Sequence, residues 1–165
     1  MNQKQKHKLG LLTALLFSIS IVSCSTERAP CLEPTLAKLN VRCLQWKNNT
    51  WVDTLLPNTN FYTLDIDSAT HWYWAAKSQT QFALVLNPNK DTCNWILQVD
   101  SAQAIFDTLQ FVYEKQLHFY SNACGYSYNY ILKTVNSTKH QLDSFKLLSN
   151  QVNTKANSEN IHLYF

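Results

Sequence analysis

From residue 37 onward, apolar side chains recur at every second position, a spacing that suits pleated strands and not the 3.6-residue turn of a helix. Ala37, Leu39, Val41 and Cys43 alternate with Lys38, Asn40 and Arg42, the pattern of a half-buried strand. Phe82, Leu84 and Leu86 repeat it and stop at Asn87-Pro88-Asn89-Lys90-Asp91, a dense cluster of turn residues. Trp95, Leu97 and Val99 follow, then Leu109, Phe111 and Tyr113. Glu114-Lys115-Gln116 reads as a turn, after which Leu117 and Phe119 resume the alternation, so a hairpin is expected here. Residues 126–135, 145–152 and 161–165 read as further strands, and the stretches 50–56, 60–66 and 70–76 are rich in aromatic residues that suit pleated surfaces. Residues 101–106 and 137–142 are the main helical candidates, both short. The expectation is one all-β domain over 31–165, an antiparallel sandwich (Ig-like or transthyretin-like) of about 8–10 short strands with little helix. Gly125 is the only glycine of that domain, and its place directly after Cys124 predicts a positive φ or a bulge.

The chain ahead of this domain has a different character. Lys4, Lys6 and Lys8 precede an apolar run from Leu9 to Val22, interrupted only by Gly10, Thr13, Ser18 and Ser20. That run falls short of the roughly 20 residues a spanning helix needs, so it reads as a signal peptide over 1–23. Ile21-Val22-Ser23-Cys24 has the form of a lipoprotein cleavage box, which predicts acyl chains on Cys24 and a lipidated tether over 24–30. Two or more chains suffice for stable membrane anchoring. Ser25, where an Asp would signal retention at the inner membrane, points to the outer membrane of a cell envelope.

Loss of the leader also removes three lysines, which leaves eleven basic against eleven acidic residues. No two basic residues are adjacent in the remainder, so the clustered charge of a nucleic-acid surface is missing. Nucleic acid is not an expected partner.

With Cys24 acylated, Cys31, Cys43, Cys93 and Cys124 remain. An even number in an exported chain predicts disulfides, with three connectivities open. Cys43 and Cys93 both lie in or beside alternating runs, where neighbouring strands can bring side chains within bridging distance. The favoured pairing is therefore Cys31–Cys124 with Cys43–Cys93. Closing the longer loop would stabilise the fold by roughly 4–5 kcal/mol in the chain-entropy treatment. No Cys-x-x-Cys or His-x-x-x-His spacing occurs, and His71, His118, His140 and His162 are scattered singly, so neither metal nor cofactor is expected.

Several short motifs, namely Leu86-Asn87-Pro88-Asn89, Asp107-Thr108-Leu109-Gln110-Phe111-Val112-Tyr113, Tyr120-Ser121-Asn122-Ala123-Cys124-Gly125 and Ile161-His162-Leu163-Tyr164-Phe165, resemble an uncharacterised family of small lipoproteins from Bacteroidota. The resemblance covers most of 31–165 and is strongest from residue 82 onward. It implies an envelope location and a mainly β fold, and it carries no catalytic residues. Cys43 and Cys93 depart from the family's two-cysteine pattern, which supports pairing them with each other.

Enzyme chemistry finds little support. Asp65 and Asp67 could share a strand face as paired carboxylates, but they sit in a turn-like, Ser-flanked segment. No Gly-x-Ser-x-Gly elbow exists. Aromatic residues offer a sharper idea. On a strand, Trp72 and Trp74 would share one face, and Trp46 and Trp51 flank the polar turn Lys47-Asn48-Asn49-Thr50. Such platforms hold glycans or peptides, although aromatic residues more commonly fill a core. The leading expectation is a non-catalytic structural or protein-interaction module held at the membrane through Cys24, ahead of a glycan or peptide binder using Trp72 and Trp74. A hydrolase comes last. The strand 161–165 could serve as an open edge for strand addition, but its apolar terminus favours burial.

Overall fold

The computed structural model describes residues 30–66, 72–154 and 158–165, and for 72–77 the backbone alone. The chain divides into two compact units, Met1–Cys31 and Leu32–Phe165. Of the first, only Pro30 and Cys31 fall among the described residues. Eleven strands and no helix make up the described part of the second: β1 (Leu39–Lys47), β2 (Thr50–Asp53), β3 (Leu56–Tyr62), β4 (Trp72–Gln79), β5 (Gln81–Leu84), β6 (Thr92–Gln98), β7 (Asp107–Ser121), β8 (Gly125–Ser137), β9 (Ser144–Leu147), β10 (Gln151–Val152) and β11 (Ile161–Tyr164).

The strands form two sheets. One has the order β2-β1-β11-β9, with β5 also on β1, and the other runs β10-β8-β7-β6-β3-β4. Every pairing among the described residues is antiparallel except β1 with β11, which run parallel from Val41↔Ile161 to Leu44↔Tyr164. The first sheet is therefore mixed. The C-terminal strand sits between β1 and β9 and offers no open edge.

Alternation explains the layering. Leu39, Val41 and Cys43 of β1, Phe82 and Leu84 of β5, and Ile161 and Leu163 of β11 point inward from one sheet. Phe61, Trp95, Leu97, Leu109 and Phe111 answer them from the other, and together they form one buried cluster. Phe61 links the two layers: its ring meets Phe82 of the opposite sheet at 5.3 Å and Trp95 of its own at 5.6 Å, both edge-to-face.

Two expectations about turns and helices fail for local reasons. Glu114-Lys115-Gln116 is not a turn, because β7 runs straight through it and pairs with β8 along its length. Tyr113, Leu117 and Phe119 keep the same phase across those three residues, and none of the three is a turn former. The reversal comes at Ser121–Gly125, where Gly125 has φ 71° and the register slips by one residue. An added Cβ at Gly125 would meet nothing within 4 Å, so the demand for glycine is purely conformational.

Neither helical candidate is a helix. In the first, Asp100 accepts the Ala102 N–H at 3.0 Å in a side-chain turn. In the second, the N–H groups of His140, Gln141 and Leu142 all point at the Asp107 carboxylate, at 2.7, 2.8 and 2.9 Å. Donors committed in this way are lost to an i→i−4 ladder. Residues 145–152, read as one strand, are two: β9 belongs to the first sheet and β10 to the second.

Cys31 and Cys124 are disulfide-bonded. Cys43 and Cys93 are free and buried, so the expected bridge between them does not form. The reason is layer geometry. Cys43 lies on β1 and Cys93 on β6, in opposite sheets. Facing sheets stand about 10 Å apart, and a disulfide needs Cα atoms within about 4.4–6.8 Å.

Candidate ligand-binding site

The hairpin β1–β2 presents two half-exposed indoles, those of Trp46 and Trp51. Asn48 and Asn49 both have positive φ, at 49° and 65°, which is the backbone of a two-residue type I′ turn. That turn sets Lys47 opposite Thr50 and Trp46 opposite Trp51. Pairs alternate between hydrogen-bonded and open along an antiparallel ladder, and the open pairs bring side chains closer. The indoles of Trp46 and Trp51 meet edge-to-face at 5.1 Å. Tyr164 of β11 leans on Trp51 with ring centres 4.4 Å apart.

The three rings lie on the outer face of the five-stranded sheet, away from the core. Trp46 and Trp51 remain 50 % and 47 % exposed. Leu44, on the same face of β1 as Trp46 by alternation, is buried.

A charged network borders the rings. Arg42 donates from Nε and Nη2 to the two carboxylate oxygens of Asp53, at 2.6 and 2.8 Å, and from Nη1 to Glu159 at 2.6 Å. The other Glu159 oxygen lies 2.9 Å from Nε2 of His162. Cross-strand register explains the grouping, since Arg42 pairs with His162, and Leu44 pairs with Asp53 on one side and Tyr164 on the other. Hydrogen bonds from Arg42 hold the Asp53 carboxyl below its usual range, and the His162 and Arg42 contacts do the same for Glu159. Both carboxylates therefore remain ionised at neutral pH. Arg42, Leu44, Trp51, Val52, Asp53, His162 and Tyr164 line a cleft of about 540 Å³, within the size range of small-ligand sites.

A second cleft of about 550 Å³ lies beside the Asn-Pro turn, lined by Leu64, Asp65, Asn87, Pro88 and Lys90 among others. Its polar groups are turned to internal work. Asp65 accepts from Lys90 Nζ at 2.9 Å and from the backbone and side chain of Asn94 at 2.7 and 2.9 Å. Asn87 donates to the Asp65 carbonyl and accepts the Asn89 N–H, while Tyr113 donates its hydroxyl to the Asn87 carbonyl. This is a braced turn.

The other predicted positions divide clearly. Cys24, Asp67 and His71 lie outside the described residues. So do the side chains of Trp72 and Trp74, whose backbones pair with Tyr62 and Phe61. Burial pushes the Cys43 thiol up to about 12 and the Cys93 thiol up as well, although a Thr63 hydroxyl 3.7 Å away draws the latter back. Neither is a thiolate nucleophile at neutral pH. His118 meets Tyr120 edge-to-face, and His140 Nδ1 lies 3.2 Å from Asp107. Among the described residues, no group of three or more His, Cys, Asp or Glu could hold a metal ion. The polar turn in the sequence points to Trp46 and Trp51. The β1–β2 hairpin brings Asp53 to Arg42, whereas nothing local points to Glu159 and Tyr164, which the parallel pairing of β1 and β11 adds.

No curated protein and no solved structure matches the chain. A family model does match, over residues 59–165. Glu159, His162 and Tyr164 fall inside that span, whereas Arg42, Trp46, Trp51 and Asp53 precede it. As the match takes in more than half of the chain, the protein belongs to DUF6452, a family of unknown function.

Proposed function

We propose that this protein is an exported, lipid-anchored envelope module that works by binding another molecule and performs no catalysis. The basic and apolar leader ending at Cys24 supports the anchor, as does the resemblance to small Bacteroidota lipoproteins. The disulfide state of Cys31 and Cys124 supports an oxidising compartment. Ser25, in the position after the lipid-bearing cysteine, supports outer-membrane residence.

One observation carries the binding role: three clustered aromatic rings, two of them half-exposed indoles, stand beside a cleft of about 540 Å³ on the outer sheet face. Exposed indoles are costly to leave in water and are enriched where proteins bind. The charged groups around them support a recognition role over a catalytic one. Both carboxylates are bonded to Arg42, so neither is poised to transfer a proton.

The anchor is tested by metabolic labelling with an alkyne fatty acid. The wild-type chain should label and Cys24→Ala should not; a labelled alanine variant would remove the anchor. Occupancy of the face is tested by hydroxyl-radical footprinting. Trp46 and Trp51 should be oxidised several-fold less in intact cells than in the purified protein. Equal oxidation in both would remove the binding role.

A further inference from the structure

We infer that the cleft beside Trp51 and Tyr164 takes a neutral oligosaccharide chain. This rests on the binding role proposed above and names its ligand class. The cleft selects that class through the groups it can and cannot satisfy.

A pyranose ring has an apolar face of C–H groups and a rim of hydroxyls. Its C–H face is drawn to the electron-rich face of an aromatic ring, and its hydroxyls both donate and accept. Trp51 and Tyr164 supply the aromatic component, held in place by contact with each other and with Trp46. Arg42 carries five N–H donors and uses three on Asp53 and Glu159, which leaves two for a ligand. Each oxygen of Asp53 takes one bond from Arg42 and keeps further acceptor capacity. Donors and acceptors thus lie side by side and are fixed by their mutual bonds, so little side-chain freedom is lost on binding.

Other ligand classes fit less well. An anionic group needs an uncommitted cation, and the Arg42 guanidinium already faces two carboxylates. An apolar peptide side chain would cover the charged Asp53 and Arg42 and the polar ring of His162 without meeting their hydrogen bonds, a desolvation cost with no return. A hydroxyl-rich, uncharged ligand avoids both penalties. Because the cleft lies on an exposed sheet face beside half-exposed indoles, it suits a segment of a chain better than an enclosed single sugar.

The test uses the full chain purified in detergent on an array of neutral glucan, mannan, galactan, xylan and N-acetylhexosamine oligomers, with polygalacturonate as the anionic arm. At least one neutral oligomer should bind and quench tryptophan fluorescence. Trp51→Ala and Tyr164→Ala should each weaken that binding by tenfold or more while unfolding at the temperature of the wild type. Polygalacturonate should not bind. If no neutral oligomer binds in a Trp51-dependent way, or if polygalacturonate binds more tightly, the glycan inference is wrong. Protection of Trp51 in intact cells alongside such a result would keep the binding role and discard only the ligand class. Loss of both would discard the two together.

Discussion

Asp107→Ala should destabilise the domain by about 3–5 kcal/mol, read as a shift in the urea midpoint at constant slope. Asp107 is only 1 % exposed, yet its carboxylate is surrounded by donors. One oxygen accepts from the Thr138 hydroxyl at 2.9 Å and the His140 N–H at 2.7 Å; the other accepts from Gln141 N–H at 2.8 Å and Leu142 N–H at 2.9 Å. The Thr138 hydroxyl in turn accepts the Thr108 N–H at 2.8 Å. Removing the carboxylate takes the partner from four donors, of which the Leu142 N–H is buried, and an unpartnered buried donor costs more than the hydrogen bond was worth. Asn is no rescue. Either orientation of its amide turns an NH₂ group toward two donors.

The same residue should shape acid unfolding. Burial alone raises the Asp107 carboxyl, but the three backbone N–H groups and Thr138 together hold it below its usual range. A carboxyl lowered in the folded state is ionised in both states at neutral pH, so its contribution is fully present there. Below the unfolded value of about 3.9 the unfolded chain takes up the proton first, and the contribution falls away as pH drops through the folded value. Asp53, Asp65 and Glu159 are lowered too and act in the same window. The difference between wild type and Asp107→Asn isolates the one group. Stability of the wild type should fall more steeply than that of the variant below about pH 4. Parallel curves would show that Asp107 does not bind its donors as an anion.

Trp95→Ala should cost a comparable 3–5 kcal/mol, again about a third of a typical domain's stability, for a different reason: the loss of a large buried ring. Trp95 is fully buried and packs edge-to-face on Phe61, the ring that links the two sheets. Its indole Nε1 also donates to the Val85 carbonyl at 3.1 Å, tying β6 to the chain just after β5. Alanine opens a cavity between the sheets and removes that carbonyl's indole donor. Trp95→Phe separates the two effects, because it keeps most of the ring and removes only the donor. Its cost should be about 1–3 kcal/mol, read in the same urea series. Equal losses for Phe and Ala would mean that the hydrogen bond dominates and the ring's packing contributes little.

The contrast between these residues and the aromatic face bears on what a family resemblance carries. Asn87, Asp107 and Gly125 all lie in the motifs that suggested the family, and each has a structural role. Asn87 braces a turn, Asp107 holds a loop, and Gly125 closes a hairpin. Arg42, Trp46, Trp51 and Asp53 stand outside the matched span. The recognisable residues thus maintain the sandwich, while half of the candidate site lies on β1 and β2, ahead of that span.

Alternation was legible wherever a strand has one wet face and one dry one. Leu39 to Cys43, Phe82 to Leu84 and Ile161 to Leu163 could be assigned inward from spacing alone, because a period of two follows from the pleat itself. The Lys47-Asn48-Asn49-Thr50 turn was legible too, since two consecutive Asn residues tolerate the positive φ that a tight hairpin demands. Spacing is silent about which strands become neighbours. It could not reveal that β1 and β11, at the two ends of the domain, run side by side in parallel. That pairing brings Arg42 to His162 and Leu44 to Tyr164, and so completes the candidate site. Sheet order likewise sets Cys43 and Cys93 in opposite layers and leaves them as free thiols. Local chemistry determined the strands and their buried faces. Tertiary pairing decided the site, because contacts between residues more than a hundred positions apart depend on sheet order, which no local pattern encodes.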